Sequence, residues 1–204
     1  MKELKRFCSF LIVAILFTSC TKTTDIFTIQ GEAQGSTYSI KYIASEEEVT
    51  KNQIDSLLTA FDLSLSTYRP DSKISKINSG DSTVVVDDFF TETFQLSNQI
   101  YKETNGLFDP TIGVLVNAYG FGPNKKHQDL APKQIDSLLQ FVGFDKIALK
   151  SNKTISKKYK ETFIDFNAIA QGYSVDVVVN YLKSKGIENA IVEIGGELFA
   201  LGKN

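Results

Sequence analysis

Residues 163–201 read FIDFNAIAQGYSVDVVVNYLKSKGIENAIVEIGGELFAL, and their pattern sets the fold class. Phe163-Ile164-Asp165-Phe166 is an apolar run broken by one carboxylate, the composition of a buried strand over 161–166. A helix is predicted from about Ala168 to Lys185, with Gly186 as its C-terminal stop. Ala168, Gly172, Val175, Val179 and Leu182 are small or apolar at helical spacing, and core packing explains most of that stripe. Ala190–Ile194 and Glu197–Leu201 follow as two strands joined across Gly195-Gly196.

Working back toward the start, residues 26–33 and 37–44 alternate loosely around Gly35 and predict a second hairpin. Ser45 followed by Glu48 has the form of a capping box. Ile54, Leu57, Leu58, Phe61 and Leu65 then lie on one helical stripe, which Tyr68-Arg69-Pro70-Asp71 interrupts, since proline disfavours helical geometry at the residue before it. Val84–Val86 is expected as a short strand. Asp87 or Asp88 caps the next helix, which carries Phe90, Phe94, Ser97 and Tyr101 on one side and stops near Gly106. Asp109-Pro110-Thr111 opens a short apolar helix closed by Gly120, Gly122 and Pro123. After a polar, basic loop over 124–131, Pro132 starts a helix with Ile135, Leu138, Leu139 and Val142 inward, ending at Gly143. A strand is expected at 145–149. Mixed helices and strands with a hairpin at each end predict an α+β fold, with mixed or antiparallel sheets and packed helices.

The chain has 204 residues, 42% hydrophobic and 23% charged, with a formal net charge of −2. That balance is ordinary for a globular protein and excludes disorder, coiled coil, collagen and a multi-span membrane protein. It offers no electrostatic footprint for nucleic acid. Phe7–Phe17 is apolar almost throughout and follows Lys2, Lys5 and Arg6. At about 1.5 Å per residue it is too short to span a bilayer, so residues 1–19 read as a secretory signal. Cys20 follows Phe17-Thr18-Ser19, which resembles a bacterial lipobox. The expectation is a lipidated Cys20 with a tether over 20–25, and a domain over 26–204 held at a membrane and facing the periplasm. Cys8 leaves with the signal, so no thiol remains for disulfides, thiolate metal sites or a cysteine nucleophile. His127 is the only histidine and sits in a polar loop. A His/Cys zinc site is thereby excluded, a serine triad disfavoured, and any metal expected to be a hard, oxygen-bound cation such as Mg²⁺.

Among candidate site residues, Asp165 is the most suggestive. A carboxylate between a strand end and a helix N-terminus lies beside unpaired backbone amides, where anionic ligands and their metals collect. The plainer alternative is that it only caps the helix, with Asn167 as the expected cap residue. Asp109 has the same two readings, and the glycines at 106, 113, 120 and 122 would let a backbone approach a ligand closely. Neither the dinucleotide fingerprint nor the P-loop is present. Tyr68 and Tyr119 lie at irregular turns where a ring can stack on a ligand, or they are rim residues. Arg69 either meets a phosphate or pairs with Asp71. Glu193 and Glu197 flank Gly195-Gly196, facing a pocket or water.

Four stretches together resemble one family: GEAQGSTYSI over Gly31–Ile40; LSTYRPDS over Leu65–Ser72, with Ile74–Asn78 behind it; NGLFDPTIG over Asn105–Gly113, running on to Ala118–Gly122; and DFNAIAQG over Asp165–Gly172, through Val192–Glu197. The resemblance is to the ApbE-type FAD:protein FMN transferases and covers the mature chain in order. It implies the flavin transferase fold. It also implies a Mg²⁺-dependent reaction that breaks the FAD pyrophosphate, moves FMN onto a threonine or serine hydroxyl of a partner protein, and releases AMP. Implied acceptors are exported subunits of sodium-translocating NADH:quinone reductases and of Rnf complexes. Carried across residue by residue, Gln34 and Tyr68 border the flavin. Leu107, Phe108, Asp109, Asp165 and Gln171 line the FAD site, and Ala168 offers a backbone oxygen to the metal. Gln34 departs from the methionine often found there.

The family pattern continues with a His-x-x-Asp-Pro segment and an aspartate-threonine group that completes the magnesium site, neither of which occurs in this chain. No catalytic residue is therefore assigned within it. The end at Asn204, directly after a strand, leads us to expect a truncated chain that binds metal poorly and has little transferase activity. Two alternatives carry different outcomes. One is a lipoprotein that holds FAD without turning it over, or a remnant of the enzyme; the other is a hydrolase giving FMN and AMP.

Overall fold

The computed structural model describes residues 23–122 and 128–203. The signal segment, Cys20, residues 21 and 22 of the tether, and His127 lie outside those residues. β1 (Asp25–Ala33) and β2 (Ser36–Ala44) pair antiparallel along their whole length. Gln34 and Gly35 connect them with φ of 56° and 73°. Positive φ at both central positions is the type I′ geometry that matches strand twist; glycine and asparagine accept it readily, whereas glutamine is strained there. A Cβ on Gly31 would lie 2.6 Å from the Tyr38 ring, so glycine is what lets that buried tyrosine tuck under β1.

After the hairpin come α1 (Lys51–Leu65), α2 (Lys73–Asn78), α3 (Asp88–Glu103), α4 (Gly113–Ala118) and α5 (Pro132–Leu139). A single 3₁₀ turn at Phe144–Lys146 precedes the small hairpin β3 (Ile147–Leu149) and β4 (Ile155–Lys157), and α6 (Asn167–Ser184) leads to β5 (Ala190–Ile194) and β6 (Glu197–Leu201). The main sheet has the order β1-β2-β5-β6, every neighbouring pair antiparallel. This is the α+β class that the sequence predicts. Among the described residues, no helix is long and apolar enough to cross a membrane.

Two apolar clusters hold these elements. Strand alternation turns Tyr38, Ile40, Tyr42, Val192 and Ile194 to one face of the main sheet, where Ile54 and Leu58 of α1 and Val175, Val178, Val179 and Leu182 of α6 cover them. The second cluster gathers Phe61, Leu65, Ile74, Phe90, Phe94, Phe144, Ile164, Phe166 and Ala170. Phe90 and Phe166 meet edge to face with centroids 5.3 Å apart. Each fully buried aliphatic or phenyl side chain contributes about 1.5–3 kcal/mol by leaving water. α1 and α6 place residues in both clusters, one helical turn after another, so the seam between the clusters runs between these two helices.

Several local expectations are corrected. Residues 161–166 do not join a sheet as a strand: Glu161 lies in a turn and Phe166 has φ −97° and ψ 6°. Phe163 makes one isolated bridge to Ile112, and the Asn78 side chain takes up both backbone groups of Ile164. The Val84–Val86 strand reduces to one bridge between Val85 and Thr154. The cap of α1 is Thr50 with Gln53, whose Oε1 accepts the Thr50 N–H at 2.9 Å, and not Ser45 with Glu48. α5 is a surface helix with no buried residue; Leu139 is exposed because, among the described residues, none covers that side. In α6 the buried stripe is Ala170, Ser174, Val175, Val178, Val179 and Leu182, and Ala168 is exposed because the helix presents its first turn to solvent.

Candidate functional site

At the seam, the β1–β2 turn, α1 and the start of α6 leave a cleft of about 660 Å³. It is lined by Gln34, Gly35, Asp62, Ser66, Tyr68, Arg69, Asn167 and Gln171, with Phe61, Leu65 and Ala170 as its apolar floor. That size and mixture are typical of a small-molecule site. Each wall has a local cause. The type I′ turn projects Gln34 toward α6, and the end of α1 at Leu65 releases the loop that carries Tyr68 and Arg69. Tyr68 is 54% exposed, so its ring face is open to a planar ligand. Arg69 forms a two-pronged ion pair with Asp71, at 3.1 and 2.9 Å, at the rim.

The polar contacts along the cleft are ordered by α6. Gln171 Nε2 donates to the Gly195 carbonyl at 3.1 Å, tying the first turns of the helix to the β5–β6 turn. A Cβ at Gly195 would lie 1.8 Å from that nitrogen, so the glycine is required for the approach. Buried Ser174 donates to the Gln171 carbonyl at 2.6 Å. On the facing helix, burial raises the Asp62 carboxyl above its ordinary range, while the Arg69 charge and the Gln34 backbone N–H pull it back.

Asp165 stands one step along from the cleft. Its Oδ1 accepts the Asn167 N–H at 2.8 Å, and its own N–H donates to the Pro110 carbonyl at 2.7 Å. Burial raises its carboxyl, and the Asn167 N–H partly opposes that. Asp165 therefore supplies the contact at the head of α6 expected of Asn167, which is instead the first helical residue. The 107–113 loop packs against the same segment; a Cβ at Gly113 would lie 2.6 Å from the Phe163 ring and 3.1 Å from Asp165 Cβ. Asp109 folds back on its own loop, Oδ1 accepting from both N–H and Oγ of Thr111, and does not cap α4.

The structure thus brings Gln34, Tyr68 and Gln171 into one cleft and joins Asp165 to it through Asn167. Leu107, Phe108 and Asp109 lie on the neighbouring loop outside the cleft lining, with Leu107 94% exposed. Ala168 sits exposed on the first turn of α6. Glu193 turns inward on its hairpin and accepts the Gly196 N–H at 2.6 Å. Asp62 was missed by sequence reading: α1 presents it one position after Phe61, where only the partner turn at Gln34 reveals that this side is concave. Among the described residues, no group of three or more histidine, cysteine or acidic side chains is placed to hold a metal. The Asp165 carboxyl and the Ala168 carbonyl, at and just inside the head of α6, are oxygens of the kind a hard cation takes.

Comparison with known proteins gives a consistent result. The family model described as the ApbE family matches residues 34–204. The chain is 33% identical over 216 residues to the FAD:protein FMN transferase of Haemophilus influenzae, covering 100% of this chain and 62% of that protein. It is 35% identical over 206 residues to the corresponding protein of Vibrio cholerae, covering 93% and 59%. Among solved structures, the flavin transferase ApbE from Vibrio cholerae superposes with a TM-score of 0.81 at 33% identity, over 89% of this chain and 61% of that one. The apo form of the Pseudomonas stutzeri flavinyl transferase ApbE gives 0.81 at 30% identity, over 89% and 60%. The chain thus spans about 60% of the length of the relatives it matches.

Proposed function

The chain belongs to the ApbE family, and on that footing we propose that it forms the flavin-binding part of an enzyme moving FMN from FAD to a protein hydroxyl. The observation that carries this reading is the cleft at the seam, which gathers Gln34, Tyr68 and Gln171 and opens toward Asp165 at the head of α6. An isoalloxazine would lie against the Tyr68 ring, with the pyrophosphate directed to the N-terminus of α6, where the positive end of the helix dipole favours anions.

In the reaction, a threonine or serine oxygen of the acceptor forms a bond to the FMN-side phosphorus. The bond from that phosphorus to the bridging oxygen breaks, AMP leaves with that oxygen, and the hydroxyl loses its proton. Mg²⁺ bound there would offset negative charge between the two phosphates. This chain's own residues would position and shield: Asp165 and the Ala168 carbonyl would hold part of the cation shell and Tyr68 would cover the ring, while Gln171 fixes the helix against the β5–β6 turn. The same proposal includes lipidation at Cys20, a location facing the periplasm, and exported respiratory subunits as acceptors. FAD, Mg²⁺ and an acceptor domain incubated with a full-length version of the protein should add one FMN to the acceptor by mass spectrometry. An acceptor of unchanged mass rejects the transferase reading.

A further inference from the structure

The main sheet has two unlike faces. α1 and α6 cover one of them. Strand alternation turns Ile26, Ile43, Ile191 and Ala200 to the other, with Ile26 paired to Ile43 and Lys41, Ile191 and Ala200 forming the next row. Ile26 is 70% and Ile191 49% exposed. These residues line a shallow groove of about 300 Å³, together with Lys41 and Lys203 and, among the described residues, no acidic side chain. The open face of an antiparallel sheet ordinarily carries polar side chains, so an apolar cluster there marks a surface that something else covers.

The position of the groove in the chain says what covers it. Ile26 is the second residue of β1, so the groove begins where the tether from Cys20 ends. Fully extended, the tether over 20–25 reaches at most about 20 Å, which would hold a lipid on Cys20 close to this end of the sheet. Isoleucines flanked by lysines suit such a contact: the apolar groups enter the headgroup boundary, and the lysine stems lie along it with their ammonium groups at anionic phosphates. The cleft lies at the other end of the same strands, where the β1–β2 turn meets the first turns of α6, and on the helix-covered side.

We propose that this groove is a membrane-docking surface. Ile26, Ile43, Ile191 and Ala200 rest in the headgroup boundary of an anionic phospholipid bilayer, and Lys41 and Lys203 meet its phosphates. The cleft is thereby turned toward the aqueous side, roughly 30 Å away along β1 at about 3.3 Å per residue. This rests on the lipidated Cys20 of the reading above and adds to it a fixed orientation, which a short tether alone does not give.

The test uses a full-length, lipidated version of the protein carrying Ile191→Trp, with Ser137→Trp on the exposed side of α5 as reference. Each is reconstituted in vesicles of phosphatidylethanolamine and phosphatidylglycerol whose acyl chains are brominated near the headgroup. Emission of the introduced indole is read as the difference from the parent. We expect the Ile191→Trp emission to shift to the blue and to be quenched, at a depth of about 5–10 Å, while the Ser137→Trp emission keeps its aqueous position. Adding Ile26→Asp to Ile191→Trp should roughly halve that quenching, with the melting temperature unchanged because Ile26 is exposed. Equal, water-like emission from both positions in vesicles would overturn the proposal. So would an Ile191→Trp indole already shielded before reconstitution, which gives the face to a second copy or to further chain. Mass spectrometry of Cys20 is read first. A protein without acyl mass withdraws the lipoprotein reading and this inference with it; an acylated protein that fails the quenching loses only the docking surface.

Discussion

Asp165 shows how a single side chain can carry both a structural and a functional reading, and how to separate them. Because folding raises its pKa, the folded protein keeps this proton over a range above 3.8 where the unfolded chain has already lost it. Stability owed to this group is therefore whole below 3.8 and is lost as pH rises through the raised value. Asp165→Asn keeps an acceptor for the Asn167 N–H and removes the cost of burying a charge. Its melting temperature should rise relative to the parent as pH increases above about 4, with no gain below it. FAD affinity should fall roughly ten- to hundredfold in the same variant, as expected for one lost charge-assisted contact. A variant that loses stability at neutral pH and keeps its affinity would make Asp165 a helix cap only. Tyr68→Ala separates the two in the opposite way. Its ring is largely exposed, so the melting temperature should hold while FAD affinity drops about three- to tenfold, measured by fluorescence titration. Both residues were legible in the sequence, one from its place between a strand-like run and a helix, the other from its turn. Asp62 was not, because a half-buried acid on a helix flank acquires meaning only from the turn packed opposite.

At the scale of elements, the segment over 161–166 is the instructive case. Its composition is that of a buried strand, and Thr162, Ile164 and Phe166 are buried, yet among the described residues nothing pairs alongside beyond the single Ile112–Phe163 bridge. Asn78, at the end of α2, does that work with its side chain. Its Oδ1 accepts the Ile164 N–H and its Nδ2 donates to the Ile164 carbonyl, both at 2.8 Å. Asn78→Ala leaves two buried backbone groups unpaired and should cost about 2–4 kcal/mol in a denaturant titration. Since Asp165 is the next residue, FAD affinity should fall with it; full affinity at reduced stability would show that the segment holds its place without this clamp. No local pattern announces a contact between residues 86 positions apart, which is why the sequence suggested a strand. The hairpins and the long helix were legible for the opposite reason. β1, β2, β5, β6 and α6 are set by alternation, turn residues and spacing within a few neighbours, and their boundaries fall within one or two residues of expectation.

Across the whole molecule, the cleft exists because two apolar clusters are joined by two shared helices. α1 and α6 each place residues in both, so the β1–β2 turn and the loop after α1 face each other across the seam instead of packing shut. The cleft was not visible from composition or periodicity, since it depends on how the sheet and the second cluster are set about those helices. The four motifs quoted above converge on it or on the loop beside it, a grouping that similarity to flavin transferases accounts for and core packing alone does not. The most direct test of the account is a crystal structure of the protein with FAD and Mg²⁺. We predict electron density for the isoalloxazine against Tyr68 and Gln34, with the pyrophosphate reaching the head of α6 beside Asp165. A flavin bound elsewhere, with only water between Gln34, Tyr68 and Gln171, would contradict it.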